Sequence, residues 1–221
     1  MSPPEAPRVV PLGDRAMLLT LSGQPEQSNG RIAAIARLLL EESRRERRPA
    51  VLDVTPAMTS LAVFFDPAAT TAGEIERRLR DAAARAPTIR DAPQSRHVVP
   101  VTYDGPDLVD AASRLGITTS ELIRRHSDPS YRVRFLGFAP GFAYLGPLDR
   151  GLVLPRRSEP RPRVPAGSVA IAGDQTAVYP LDTPGGWHLI GRTPLLPFDA
   201  ARKPPSLFAA GDEVRFEPVF P

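Results

Sequence analysis

Beyond residue 130 the chain holds no stretch with helical periodicity. Short apolar runs (YRVRFLGF, SVAIAG, TAVYP, WHLIG and EVRFEPV) are separated by glycine and proline. Each run is long enough for a strand and too short for a helix. Many short strands with frequent turn signals predict a closed, barrel-like β-domain over 93–221, with Gly211-Asp212 turning into the last strand. Two short helices precede the strands. Leu108–Leu115 is stopped by Gly116, and Thr118–His126 opens on a Thr118/Glu121 capping box.

The first 92 residues read differently. Arg15–Leu21 alternates as a strand, and Asn29–Arg48 places Ile32, Ile35, Ala36 and Leu39 on one helical face until Pro49 stops it. Val51–Thr55 and Ser60–Phe65 are strands about a turn containing Pro56. Thr71–Ala86 is a second helix with Ile75, Leu79, Ala82 and Ala83 inward and a Thr71/Glu74 capping box. Arg96–Thr102 follows as a strand that belongs either to this half or to the next. This order predicts a small ferredoxin-like α+β domain over 1–92, joined to the barrel by a proline-bearing linker, Ala86–Ser95.

Composition excludes several chemistries. Without cysteine there is no disulfide, thiolate nucleophile or Cys-based zinc site. The three histidines, His97, His126 and His188, fall in no metal-binding spacing, so no metal site is expected. Nearly every base is arginine, Lys203 being the one lysine, and the net charge is only +3. The densest basic run, Ser43–Arg48, reads as a solvated helix terminus, so neither nucleic acid nor a membrane is expected as a partner. No apolar run reaches the length of a membrane span, and the first residues lack the pattern of a secretion signal. The expected location is therefore the cytoplasm.

Three loops between Phe135 and Thr193 carry the chemistry. The first, FLGFAPGFAYLGPLD, interleaves glycines with Phe138, Phe142 and Tyr144, which suits either a pocket lip or a plug for the barrel end. In the second, Arg156, Arg157, Arg161 and Arg163 stand among prolines. A rigid set of guanidiniums suits a carboxylate or phosphate, unless Glu159 and solvent satisfy it. Gly167 and Ser168 then lead into a strand, and Gln175 and Thr176 stand at a turn. In the third, Pro184-Gly185-Gly186 precedes Trp187, the single tryptophan, which is either core or pocket wall; Arg192 and Thr193 follow. His188 should point away from Trp187 and reads as structural. No nucleophile elbow, P-loop or kinase motif is present.

In order, PLGDRAMLL, GFAPGFAYL, PRR, PRVPAGSVAIAGDQTAVYP, TPGGWHLIGRTP and AAGDEVRFEPV resemble allophanate hydrolase subunit 1, a carboxyltransferase domain of the A and B type. That family includes the B subunit of bacterial 5-oxoprolinase and a Kip-type histidine-kinase inhibitor. Asp174, Ala177 and Pro147 depart from the usual pattern and alter local pocket shape. The resemblance implies a cyclophilin-like barrel after the α+β domain. It also implies a C-type partner (allophanate hydrolase subunit 2), an A-type subunit, and ATP-dependent opening of 5-oxoproline to glutamate by the whole assembly, with ATP used at that level. The site residues it implies are Phe138, Phe142, Tyr144, Arg156, Arg163, Ser168, Gln175, Thr176, Tyr179, Trp187, Arg192 and Thr193. Arg156, Arg163 and Arg192 would hold an anion. Gln175, Ser168 and Tyr179 would orient an amide, Tyr144 and Trp187 would wall the pocket, and His126 would be an acid/base. The alternatives are a binding module that grips a histidine kinase, a subunit of an allophanate or urea amidolyase-type assembly, and a prolyl isomerase suggested by the barrel alone.

Overall fold

A computed structural model describes residues 6–47, 49–86 and 95–219 of the 221. Most of the expected linker and Arg48 lie outside the described residues. Contacts divide the chain into two compact units, 1–92 and 93–221.

In the first unit, strands β1 (Arg8–Pro11), β2 (Ala16–Thr20), β3 (Val51–Pro56) and β4 (Ser60–Phe65) form an antiparallel sheet in the order β1-β2-β4-β3. Helices α1 (Pro25–Ser43) and α2 (Ala72–Arg85) pack against it. Leu19, Leu61, Val63 and Phe65 of the sheet meet Ile32, Ile35, Leu39, Ile75 and Leu79 of the helices in one core. Burying each such side chain contributes about 1.5–3 kcal/mol. The Thr71 hydroxyl accepts the Glu74 N–H at 3.2 Å, as the capping pattern predicts. Helix α1 begins four residues before its expected start, because Pro25 occupies the first turn, where its missing N–H costs nothing. It ends at Ser43, whose hydroxyl donates to the Val51 carbonyl at 3.0 Å.

The ferredoxin-like order does not form. Of the two places open to its last strand, β5 (Arg96–Val101) takes the one in the second unit, and β1 takes the edge beside β2. With only Val9 and Val10 between Arg8 and Pro11, β1 carries almost no pattern of its own and is held by its pairing.

The second unit begins with β5, then α3 (Leu108–Leu115) and α4 (Thr119–Ser127). The strands β6 (Ser130–Leu136), β7 (Ala143–Gly146), β8 (Arg161–Val164), β9 (Ser168–Ala172), β10 (Gln175–Val178), β11 (Thr183–Gly185), β12 (His188–Arg192) and β13 (Glu213–Pro218) follow. Seven strands pair in the order β12-β9-β10-β7-β6-β13-β5. Beyond β5, Thr102 and Arg192 exchange both backbone hydrogen bonds at 2.9 Å, so the sheet nearly closes into a barrel. Gly191 makes this seam possible, since a Cβ there would lie 2.7 Å from the Thr102 carbonyl oxygen. Inside stand Val99, Val101, Tyr131, Val133, Leu145, Val169, Ile171, Val178, Ile190, Val214 and Phe216, joined by Leu108, Ala111, Ala112 and Leu122 from the helices. The proline-rich second loop, which reads as a rigid loop in sequence, supplies β8, which pairs with β11 as a separate ribbon.

Candidate functional site

Successive side chains on a strand face opposite ways. On β9, Val169 and Ile171 enter the barrel core, while Ala170 and Ala172 belong to a second cluster with Ala177, Leu189 and Val164. These small residues leave room for rings. Phe142 is the hub, with ring centroids 4.9 Å from Tyr144, 5.2 Å from Tyr179, 5.3 Å from Phe138 and 5.6 Å from Trp187. The three loops singled out in the sequence therefore converge. Phe142, Tyr179 and Trp187 are buried as packing, Tyr144 is half-buried, and Phe138 stands 62% exposed. Phe138 also adopts φ 71°, the left-handed region that a non-glycine residue enters only under local constraint. Gly185 lets the ribbon approach, because a Cβ there would meet the Tyr179 hydroxyl at 2.3 Å.

The arginines separate sharply. Asp107, which no sequence motif marks, is buried at the start of α3. Its Oδ1 accepts from Arg157 at 2.9 Å and Arg161 at 2.7 Å, and its Oδ2 accepts from Arg161 at 2.8 Å and the Leu189 N–H at 2.7 Å. Burial alone would push this carboxyl up. The Arg161 and Leu189 hydrogen bonds and the two positive charges hold it below its ordinary value. The one local sign of Asp107 was an acid directly before an apolar helix, yet its carboxylate caps nothing because the arginines occupy it. Arg163 donates to Asp182 at 2.8 Å and Arg192 to Asp104 at 2.8 Å, both as exposed pairs. Arg156 is exposed and, among the described residues, has no carboxylate partner. Burial pushes the phenols of Tyr144 and Tyr179 up, and the Arg156 charge works against that at both. At Tyr179 the Trp187 N–H opposes it first.

Gln175 opens β10 opposite Ala172, half-buried on the same face as Ala177 and Tyr179. Four residues of strand separate it from Tyr179, roughly 13 Å. Ser168 and Thr193 are buried where Thr193 N–H donates to the Gly167 carbonyl at 2.8 Å. There they sit at the end of the β9–β12 pairing and do not stand at an open mouth. His188 is buried and donates through Nε2 to the Pro155 carbonyl at 2.9 Å, the structural part expected of it.

His126 is not a surface acid/base. It is fully buried at the end of α4, with Phe216 4.5 Å away ring to ring. Its Nδ1 lies 2.7 Å from the Tyr103 hydroxyl and its Nε2 2.8 Å from the Thr176 hydroxyl. The Thr176 proton is given to the Ala170 carbonyl at 3.0 Å, so Nε2 must donate and Nδ1 must accept from Tyr103. Thr176 is thus a buried relay inside the barrel and does not line a substrate pocket. Desolvation brings the imidazole down to about 3, leaving it neutral at working pH. Burial keeps it from a substrate, and the apolar residues around it make the proton costly to take up.

A depression of about 380 Å³, lined by Arg124, Arg125, Asp128, Pro129 and Asp149, involves none of the cluster residues. Its arginines are already paired with Glu121, Asp128 and Asp149. Among the described residues, no three acidic or histidine side chains converge on a metal position, and no helix is long and apolar enough to cross a membrane.

The closing barrel thus carries an aromatic cluster on its outer face, and of the arginines in the second and third loops Arg156 alone, among the described residues, has no carboxylate partner. Residues 7–208 match the family model described as carboxyltransferase domain, subdomain C and D. The chain belongs to this family. The 5-oxoprolinase B subunit of Bacillus subtilis (strain 168) is 40% identical over 225 residues, covering 93% of this chain and 90% of that one. The crystal structure of TTHA0988 superposes with a TM-score of 0.82 at 39% identity, covering 94% of this chain and 40% of the other, so this chain spans less than half of that protein. The Kluyveromyces lactis urea amidolyase shares the fold, with a TM-score of 0.71 at 18% identity over 97% of this chain and 15% of that one.

Proposed function

We propose that the chain is the B-type component of a cytoplasmic, ATP-dependent 5-oxoprolinase, acting with a C-type (allophanate hydrolase subunit 2) and an A-type component to open 5-oxo-L-proline to glutamate. Three relatives named as the B subunit of 5-oxoprolinase, 38–41% identical over 93–94% of the chain, support the assignment. The observation that carries the site is Arg156. Of the arginines in the second and third loops, it alone among the described residues keeps its guanidinium free of a carboxylate, and its charge bears on the phenols of Tyr144 and Tyr179. A planar guanidinium without a carboxylate partner fits an oxyanion, the group that a carboxylate substrate and a phosphate share. ATP would supply the free energy for breaking the amide. Arg156 would bind and orient the anionic group, with Gln175 further along the same face toward the amide. Arg163 and Arg192 are secondary, because each must first leave its own carboxylate.

The test is co-expression with the A- and C-type partners, followed by ATP hydrolysis with and without 5-oxoproline. A stable complex with 5-oxoproline-stimulated hydrolysis is expected, reduced about 10- to 100-fold by Arg156→Ala, as losing a charged hydrogen bond predicts. A complex without that stimulation, or unchanged by the substitution, overturns the reading. In the first case a histidine-kinase autophosphorylation assay comes next.

A further inference from the structure

Four arginines lie within eight residues of the second loop, Arg156, Arg157, Arg161 and Arg163, and in sequence each is an equal candidate for an anion. The fold makes them unequal. Asp107 takes both Arg157 and Arg161 through three hydrogen bonds of 2.7–2.9 Å, and Asp182 takes Arg163. The backbone on each side of Arg156 is also tied down. The Pro155 carbonyl accepts from His188, and the Arg157 N–H donates to the Gly186 carbonyl at 2.8 Å. Asp107 is itself anchored to β12, exchanging hydrogen bonds with Leu189 through its backbone N–H at 2.9 Å and its carboxylate at 2.7 Å.

We propose that Asp107 is a positioning residue that selects which arginine of this loop meets an incoming oxyanion: it neutralises Arg157 and Arg161, so that Arg156 alone is presented. This deepens, and rests on, the reading of Arg156 as an oxyanion contact. The physical logic is exclusion. A free oxyanion competes for a guanidinium only if no carboxylate already holds it in bidentate geometry, and Arg161 is held in that geometry. With Asp107 in place the loop offers one receptor at one position. Without it the loop would offer three.

The experiment titrates inorganic phosphate, and separately 5-oxoproline as the carboxylate probe, into the full chain by calorimetry. The proteins are the wild type, Arg156→Ala, Asp107→Asn and the double variant. Arg156→Ala is expected to weaken binding about tenfold or more. The double variant is expected to regain binding, because Arg157 and Arg161 are released. A merely structural Asp107 would give no such gain. The same pattern is expected with whichever probe binds more tightly. If the double variant binds as weakly as Arg156→Ala, the selection role is overturned while the Arg156 reading stands. If Arg156→Ala binds like the wild type, the Arg156 reading itself falls, and the selection role with it. Should Asp107→Asn fail to fold, arginine Nε–H resonances of the wild-type chain decide the matter. Phosphate is expected to shift Arg156 and leave Arg157 and Arg161 unmoved and protected from exchange. Equal shifts at all three overturn the proposal.

Discussion

Lowering the pH from 7 to 5 should destabilise the protein through His126 in particular. In the unfolded chain this imidazole titrates near 6.5, whereas in the native barrel desolvation holds it near 3. Its folded value is thus depressed, the reverse of a histidine that gains a partner. Between the two values the unfolded chain binds the proton and the native state does not. The associated stability is present above pH 6.5, declines as pH falls, and is lost completely below about 3. The full difference of about 3.5 units corresponds to roughly 5 kcal/mol, of which about 2 kcal/mol is lost by pH 5. His126 is fully buried, so no solvent screening reduces this figure. For a chain of this size it translates into a fall in Tm of about 4–8 °C. Carboxylates contribute to acid sensitivity as well, so the comparison is urea unfolding at both pH values for the wild type and His126→Gln. The variant should be weaker at pH 7 by about 1–3 kcal/mol, from the lost ring contact and hydrogen bond, but should show a pH 7-to-5 loss smaller by about 2 kcal/mol. A ring resonance that titrates near 6.5, or an equal pH loss in both proteins, would refute the reasoning.

The remaining expectations concern single contacts. Thr176→Val keeps the side-chain volume but leaves the His126 Nε2–H without an acceptor, and should cost about 1–3 kcal/mol in chemical unfolding. Gly191→Ala places a methyl group against the barrel seam and should cost about 1–3 kcal/mol, with faster amide exchange at Thr102 and Arg192; unchanged exchange there would mean that the seam does not depend on the glycine. Thr71→Ala removes the cap of α2 and should cost about 1 kcal/mol, seen as a lower denaturation midpoint at an unchanged slope.

What could be read from the sequence alone was whatever depends on neighbours three or four positions away. The caps at Thr71 and Thr118 act on Glu74 and Glu121. The inward face of α2 is Ile75, Leu79, Ala82 and Ala83, and Gly116 ends α3 in the left-handed conformation. Short strands punctuated by glycine and proline likewise announced a barrel, and the rings of the three loops pack into one cluster. Tertiary structure decided everything that turns on distant partners. Strand β1 exists only because β2 pairs with it, and β5 leaves the first sheet because β13 runs beside it in the second. His126 resembles an exposed helical residue until Thr176, fifty positions away, and Phe216 enclose it. The arginine-rich loop reads as one basic patch until Asp107, fifty-four positions before Arg161, claims two of its members. Periodicity and capping are properties of a short segment. Burial, and the question of which charge finds which, arise only when segments remote in the chain are brought together and water is expelled from between them.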